Sequence, residues 1–117
     1  MNYLPGDIVI APFSYTDLTQ GKNRPVLLIS PLPNYEGDWL CCMITSQMHQ
    51  FTEGIDVKII PDDLDFGSTS LKTQSVFRVT RLMVISEDIL TGKIGNISKT
   101  RFENIVGNLI HWLSEKK

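Results

Sequence analysis

Apolar residues in this chain come in short runs, cut by proline, glycine and polar turns as far as Ile97, and only beyond it do they take up a three- and four-residue step. That single change of period limits the fold to several short strands followed by one terminal helix. Gly6-Asp7 opens the first run, Ile8-Val9-Ile10-Ala11, and Pro12 ends it or sits at its edge. Residues 13–24 are polar and read as a loop, and long loops in small domains are often functional. Pro25 leads into Val26-Leu27-Leu28-Ile29-Ser30, a buried strand that Pro31-Leu32-Pro33-Asn34 breaks. A third strand covers residues 39–44 and ends at Thr45-Ser46-Gln47. Residues 55–60 alternate apolar and polar, which gives a strand with one solvated face. A turn-rich stretch, 61–70, precedes two further β-prone runs at 75–79 and 82–85. Ser86 caps a helical turn to Leu90, and residues 93–97 form a short last strand.

Beyond it, Phe102, Ile105, Val106, Leu109, Ile110 and Leu113 define one helical face. Thr100 with Glu103 three residues on makes a capping box to start that helix. Gly107 within it costs about 1 kcal/mol relative to alanine, which points to close packing there. Pattern alone therefore gives a mainly β chain, a small barrel with a C-terminal helix, as one domain over residues 1–117.

Charge and cysteine content narrow the function. With a formal net charge of -2, the chain is not a general coater of nucleic acid, although a local basic cleft remains open to its 11 scattered lysines and arginines. Cys41 and Cys42 are adjacent, a spacing that gives at best a strained disulfide, so a reducing cytoplasmic setting is expected. Alternation along a strand turns one of them to the core and the other outward. No basic leader opens the chain, and no apolar run approaches the roughly 20 residues of a membrane span, so neither export nor membrane insertion is expected. Asp62-Asp63-Leu64-Asp65 lacks the ligand spacing of a calcium loop and reads as a solvated turn. The cysteines have no second pair for zinc, and neither a glycine-rich phosphate loop nor a nucleophile elbow is present, so no metal and no cofactor are expected.

Three segments, taken in order, resemble the PemK/MazF toxins of type II toxin–antitoxin systems. The first runs from Gly6-Asp7-Ile8-Val9 through Phe13 and Thr16-Asp17 to Arg24-Pro25-Val26-Leu27. The second is Ile44-Thr45-Ser46-Gln47. The third is Leu71-Lys72 with Ser75-Val76-Phe77-Arg78-Val79, followed by Ile85 and Lys93-Ile94-Gly95. With the terminal helix, the likeness covers nearly the whole chain.

The resemblance implies an SH3-like barrel of the CcdB/PemK/MazF toxin fold. It implies a homodimeric, sequence-specific endoribonuclease that cleaves single-stranded RNA without a metal, by attack of the RNA's own 2′-hydroxyl, and that a cognate antitoxin silences. Such chemistry needs a fixed cation for phosphoryl oxygens, for which arginine's planar, permanently charged fork is suited. The family's catalytic arginine corresponds to Arg24 and its threonine to Thr45. Arg78 matches an arginine in the site of one branch, but that branch has an aspartate where this chain has Thr80, so the site works either with Arg24 and Arg78 as acid or clamp and no ordinary base, or with Asp17, which otherwise reads as a loop turn residue. Ser46 and Gln47 are candidates for sugar or base contacts, with Thr16, Gln20 and Lys22 in the polar loop. Tyr15 is the candidate for base stacking. Trp39 and Phe13 read as core or dimer contacts, His49 has only a weak claim on proton transfer, and His111 reads as structural. The alternative is a non-catalytic module of the same fold, either an inactivated member or a CcdB-like gyrase poison. Trp112-Leu113 stands where the latter would need Trp-Gly-Ile.

Overall fold

Gly6 and Asp7 anchor the start of the sheet. Gly6 has φ at +93°, which a side chain would strain. Its N–H donates to the Leu28 carbonyl at 2.8 Å, and its own carbonyl accepts from the Ile97 N–H at 3.0 Å. Asp7 is buried, takes the Leu4 N–H at 2.8 Å and pairs with Lys93 Nζ at 3.1 Å. The computed structural model describes residues 3–13, 22–33 and 36–117. Within it, β1 (Asp7–Phe13), β2 (Lys22–Pro31), β3 (Asp38–Thr45), β4 (Val57–Ile59), β5 (Ser75–Ser86) and β6 (Gly92–Asn96) form one six-stranded sheet in the order β4-β5-β3-β2-β1-β6. Every paired neighbour is antiparallel. The sheet curls, as expected of an SH3-like barrel, and carries a short α1 (Phe66–Thr69) and a long α2 (Lys99–Ser114). Tight helical turns occupy Met48–Gln50 and Glu87–Ile89, the second capped by Ser86 as its sequence suggests.

Both faces of the central strands are covered. Ile8, Leu27, Cys42, Ile44, Ile59, Phe77 and Val79 pack with Ile105 and Leu109 of α2, while Val9, Val26, Leu28, Trp39, Cys41 and Ile85 form a second cluster. The adjacent cysteines thus enter two different cores, and the expectation that one of them faces outward fails because β3 has no solvated side. Both thiols are free. Burial pushes the Cys41 thiol up to about 12 and raises that of Cys42 as well, so both stay protonated and unreactive at neutral pH.

Elsewhere the structure departs from the sequence reading in ways with clear causes. The two runs at 75–79 and 82–85 are one strand of 12 residues. Its register against β3 jumps between Cys42↔Leu82 and Met43↔Arg78, so residues 79–81, Thr80 among them, have no β3 partner and the strand bends there. Asp56, expected on a solvated face, is buried, and β4 begins after it. Helix α2 starts earlier than the capping box proposed: Ser98 is its N-cap and accepts from the Arg101 N–H at 3.1 Å. Its packed face is also rotated, since Trp112 joins Phe102 and Val106 against the core while Ile110 and Leu113 are exposed. The Asp62–Asp65 turn is a clasp rather than a free loop. Arg101 donates from Nε and Nη2 to the two oxygens of Asp65, each at 3.0 Å, and from Nη2 to Asp63 at 3.2 Å. Asp65 also takes the Ser98 N–H, so the clasp holds the N-terminus of α2. Hydrogen bonding to the Arg101 guanidinium holds the Asp65 carboxyl well below the usual carboxylate range.

Close packing falls at a different glycine from the one expected. A Cβ on Gly107 would meet nothing within 4 Å, whereas one on Gly95 would lie 2.3 Å from the Ser68 carbonyl oxygen. Gly107→Ala should therefore raise stability in urea by about 0.5–1 kcal/mol, the helix propensity difference. Gly95→Ala should lower it, because α1 must move off β6. Asp65→Asn gives a pH test. A carboxyl whose pKa is lowered by folding contributes stability above its unfolded pKa of about 4 and loses it as pH falls below that. The stability gap between wild type and Asp65→Asn should thus be full at neutral pH and shrink between pH of about 5 and 2.

Candidate functional site

Pro25 has no N–H to offer a neighbouring strand, and the β2–β3 ladder begins only at Val26↔Met43. Beyond that pair the two strands cease to be paired, while β2 stays in register with β1 through Ile10↔Pro25 and Ala11↔Arg24. The last residues of β3 and the first of β2 line an open cleft of about 480 Å³. Arg24 and Pro25 line it from β2, Ile44 and Thr45 from β3, and Ser46, Gln47 and Gln50 from the segment that follows. Ser70, Leu71, Lys72, Thr73 and Ser75 line it from the connection into β5. Ile10 and Ile94 complete the lining. Ser70 sits at φ +60°, a left-handed conformation at the end of α1, and turns the chain into the Leu71-Lys72-Thr73 stretch.

Arg24, Thr45, Ser46 and Gln47, drawn from two distant stretches of sequence, therefore share one cleft. Thr45 is 7% exposed, and its hydroxyl oxygen accepts the Gln47 N–H at 3.1 Å. One lone pair is thus engaged by the backbone, which leaves the single hydroxyl hydrogen as the group's remaining donor. The charge balance of the cleft is distinctive. Arg24 and Lys72 are cations, and among the described residues that line it there is no carboxylate, although the whole chain is net negative. Neutral hydrogen-bonding side chains, the hydroxyls of Ser46, Ser70, Thr73 and Ser75 and the amides of Gln47 and Gln50, line it beside the apolar Ile10, Pro25, Ile44, Leu71 and Ile94, with the Ser75 hydroxyl donating to the Thr73 carbonyl at 3.0 Å.

Arg78 is not among the lining residues. Its Nε lies 3.1 Å from Asp56 Oδ2, close enough for an ion pair although the N–H is not aimed at the oxygen, and its Nη1 donates to Gln50 Oε1 at 2.7 Å. Asp56 also accepts the backbone N–H groups of Thr52 and Val79, each at 3.0 Å. That carboxylate ties together the chain before β4, the bend of β5 and, through Arg78, the edge of the cleft. Lys22 is exposed at the start of β2 and does not line the cleft. Tyr15, Thr16, Asp17 and Gln20 lie outside the described residues. His49 is exposed in its helical turn, and His111 is exposed on α2 with Nε2 3.7 Å from Glu115. Among the described residues no group of three His, Cys, Asp or Glu side chains could hold a metal ion, and no helix is long and apolar enough to cross a membrane. Sequence reasoning missed Gln50, Ser70, Lys72 and Thr73 as lining residues. Only Lys72 carried a signal, its place beside Leu71 in the third resembling segment.

A curled, antiparallel six-stranded sheet with a C-terminal helix matches the fold of MazF-type toxins. The chain belongs to the PemK-like, MazF-like toxin family of type II toxin–antitoxin systems, whose model matches residues 4–113. No curated protein matches it by sequence. Among solved structures it is similar to an endoribonuclease in complex with its cognate antitoxin from a mycobacterial species, with a TM-score of 0.71 at 18% identity, covering 99% of each chain. The Mycobacterium tuberculosis toxin MazF-mt6 gives a TM-score of 0.68 at 16% identity, covering 95% of this chain and 99% of that one. MazE-MazF from Deinococcus radiodurans gives 0.65 at 18% identity, covering 98% of this chain and 100% of that one.

Removing the Asp56 carboxylate takes the ionic partner from a half-buried guanidinium and the acceptor from two backbone N–H groups at once. Asp56→Ala should therefore cost about 3 kcal/mol or more in urea unfolding, within the range for breaking a buried ion pair. A loss below 1 kcal/mol would show that this carboxylate does not join the three segments.

Proposed function

We propose that the protein is the toxin of a toxin–antitoxin pair and acts as a sequence-specific endoribonuclease on single-stranded RNA, with the cleft between Arg24 and Lys72 as its active site. The observation that carries this reading is the pairing of two cations with neutral hydrogen-bonding side chains, free of described carboxylates, on a chain of net charge -2. A polyanion is the ligand such a cleft selects.

Arg24 would clamp the non-bridging oxygens of the scissile phosphate, since a guanidinium presents two parallel N–H groups and stays charged throughout. Support from β1 and from Pro25 holds it where charge develops, which lowers the barrier more than a mobile cation would. The Thr45 hydroxyl, one lone pair of which takes the Gln47 N–H, would donate its hydrogen to the same phosphoryl group. The RNA supplies the nucleophile: its 2′-oxygen bonds to phosphorus, the bond from phosphorus to the 5′-oxygen breaks, and a 2′,3′-cyclic phosphate and a 5′-hydroxyl result. The 2′-oxygen loses one proton and the departing oxygen gains one. Lys72 would bind a flanking phosphate, and Ser46 and Gln47 would meet sugar or base. Arg78 acts through Gln50 rather than on phosphate. Tyr15, Thr16, Gln20 and Lys22 remain candidates for the RNA path towards the polar loop.

A cognate antitoxin and a second copy of the chain are the protein partners that go with this reading. The antitoxin in particular is supported by the complexes formed by the structural neighbours. An acidic, disordered segment would fill the cleft by meeting the charges that otherwise meet RNA. Two free, buried thiols fit a reducing compartment such as the cytoplasm.

Purified protein should cleave a long single-stranded RNA in EDTA, leaving cyclic phosphate ends, and a 2′-deoxy substitution at the cut site should stop it. Arg24→Ala should slow single-turnover cleavage by about a hundred- to a thousandfold with the thermal melt unchanged. Wild-type rates in that variant would remove Arg24 from the chemistry. Inhibition of gyrase with no RNA cleavage would favour the CcdB-like alternative.

A further inference from the structure

Gln50 is held in one orientation by a partner that can only donate. Arg78 Nη1 lies 2.7 Å from the Gln50 side-chain oxygen. A guanidinium has no acceptor, so the amide atom facing it must be the oxygen, and the amide NH₂ group is turned the other way. Arg78 is itself anchored by Asp56, which is 5% exposed and holds two backbone N–H groups as well. A buried carboxylate, a guanidinium and an amide thus form a chain whose last member lines the cleft. The consequence is a neutral residue whose oxygen faces Arg78 and whose NH₂ donors face away from it.

We propose that Gln50 reads a base edge of the bound RNA, donating from Nε2 to a keto oxygen, so that guanine or uracil is accepted at one position while adenine and cytosine are rejected. This rests on the reading of the cleft as an RNA site. Phosphates are already served by Arg24 and Lys72, and contacts to phosphate carry no sequence information, whereas a fixed donor facing a base edge does. Adenine and cytosine present an exocyclic amino donor where guanine and uracil present a carbonyl. An unrestrained glutamine would flip its amide and accept from the amino bases, so the hold exerted by Arg78 is what turns a versatile side chain into a selective one. Arg78 is in this sense a positioning residue.

The test measures binding of short single-stranded RNAs carrying 2′-fluoro groups, which lack the attacking hydroxyl, by fluorescence anisotropy in EDTA. The oligonucleotides form pairs that differ at one position by a keto or an amino base. Wild type should favour the keto base by about tenfold at one position, within the range for a single well-placed base contact. Gln50→Leu should abolish that preference. Gln50→Glu, of the same shape but carrying only acceptors, should turn it towards amino bases, and Arg78→Met should relax it by freeing the amide. If Gln50→Leu weakens all oligonucleotides equally, the residue is a packing or phosphate contact and the proposal fails. A wild type that binds RNA but discriminates keto from amino bases at no position overturns this inference and leaves the proposed function standing. A wild type that binds none of the oligonucleotides and cuts no RNA overturns both.

Discussion

The parting of β2 from β3 beyond Val26 and Met43 is the constraint on which the site depends. A continuous ladder there would close the gap lined by Arg24, Pro25, Ile44 and Thr45. A proline at the point of departure removes the N–H that would extend it, and β1 keeps the freed end of β2 in place through Ala11 and Arg24. The cleft is thus an unpaired stretch within an otherwise paired sheet, and its edges inherit the stiffness of the strands that form them. That is why a long side chain such as that of Arg24, on the first residues of a strand, can be held in a defined place.

A second organising element lies behind the cleft. Asp56 accepts from two backbone groups of different segments and pairs with Arg78, and Arg78 passes that order to Gln50. Buried charge of this kind contributes less to net stability than its contacts suggest, since desolvation offsets most of the Coulomb gain. What it does supply is geometry: the bend of β5, the approach to β4 and the turn after β3 are set relative to one another by a single carboxylate. The Asp63–Asp65–Arg101 clasp does the corresponding work for the start of α2.

Much of the fold was legible because period and punctuation are local. The strands at residues 8–11, 26–30 and 39–44, the Ser86-capped turn and the terminal helix all follow from runs of apolar residues and the prolines and glycines between them. What misled was context. Thr80 and Arg81 read as a break between two strands, yet they occupy the bend of one strand where the partner has moved away. Asp56 fits an alternating pattern as a solvated residue, and its burial becomes tolerable through the nearby Thr52 N–H together with the distant Val79 N–H and Arg78, which no local pattern reveals. Ser98 and Thr100 both satisfy helix-start chemistry, and the choice between them is made by Asp65, which takes the Ser98 N–H. In the site, Arg24 and Thr45 were found through ordered motifs, whereas Gln50, Ser70 and Thr73 belong to no local pattern and enter only through the topology.

The double burial of β3 has a consequence for how the sheet finds its alignment. In a strand with one wet face, shifting the pairing by a single residue carries apolar groups into water, and the pattern itself forbids the error. Trp39, Cys41 and Met43 on one side and Leu40, Cys42 and Ile44 on the other are so alike in polarity that this safeguard is absent. Correct alignment then draws on a directional tie to another element, the Trp39 indole donating to Glu87 just beyond β5 at 2.8 Å. The indole thus acts as the strand's index mark: a slipped strand would keep its greasy interior and lose that bond, whereas the bond between Thr45 and Gln47, two residues apart in sequence, would travel with it.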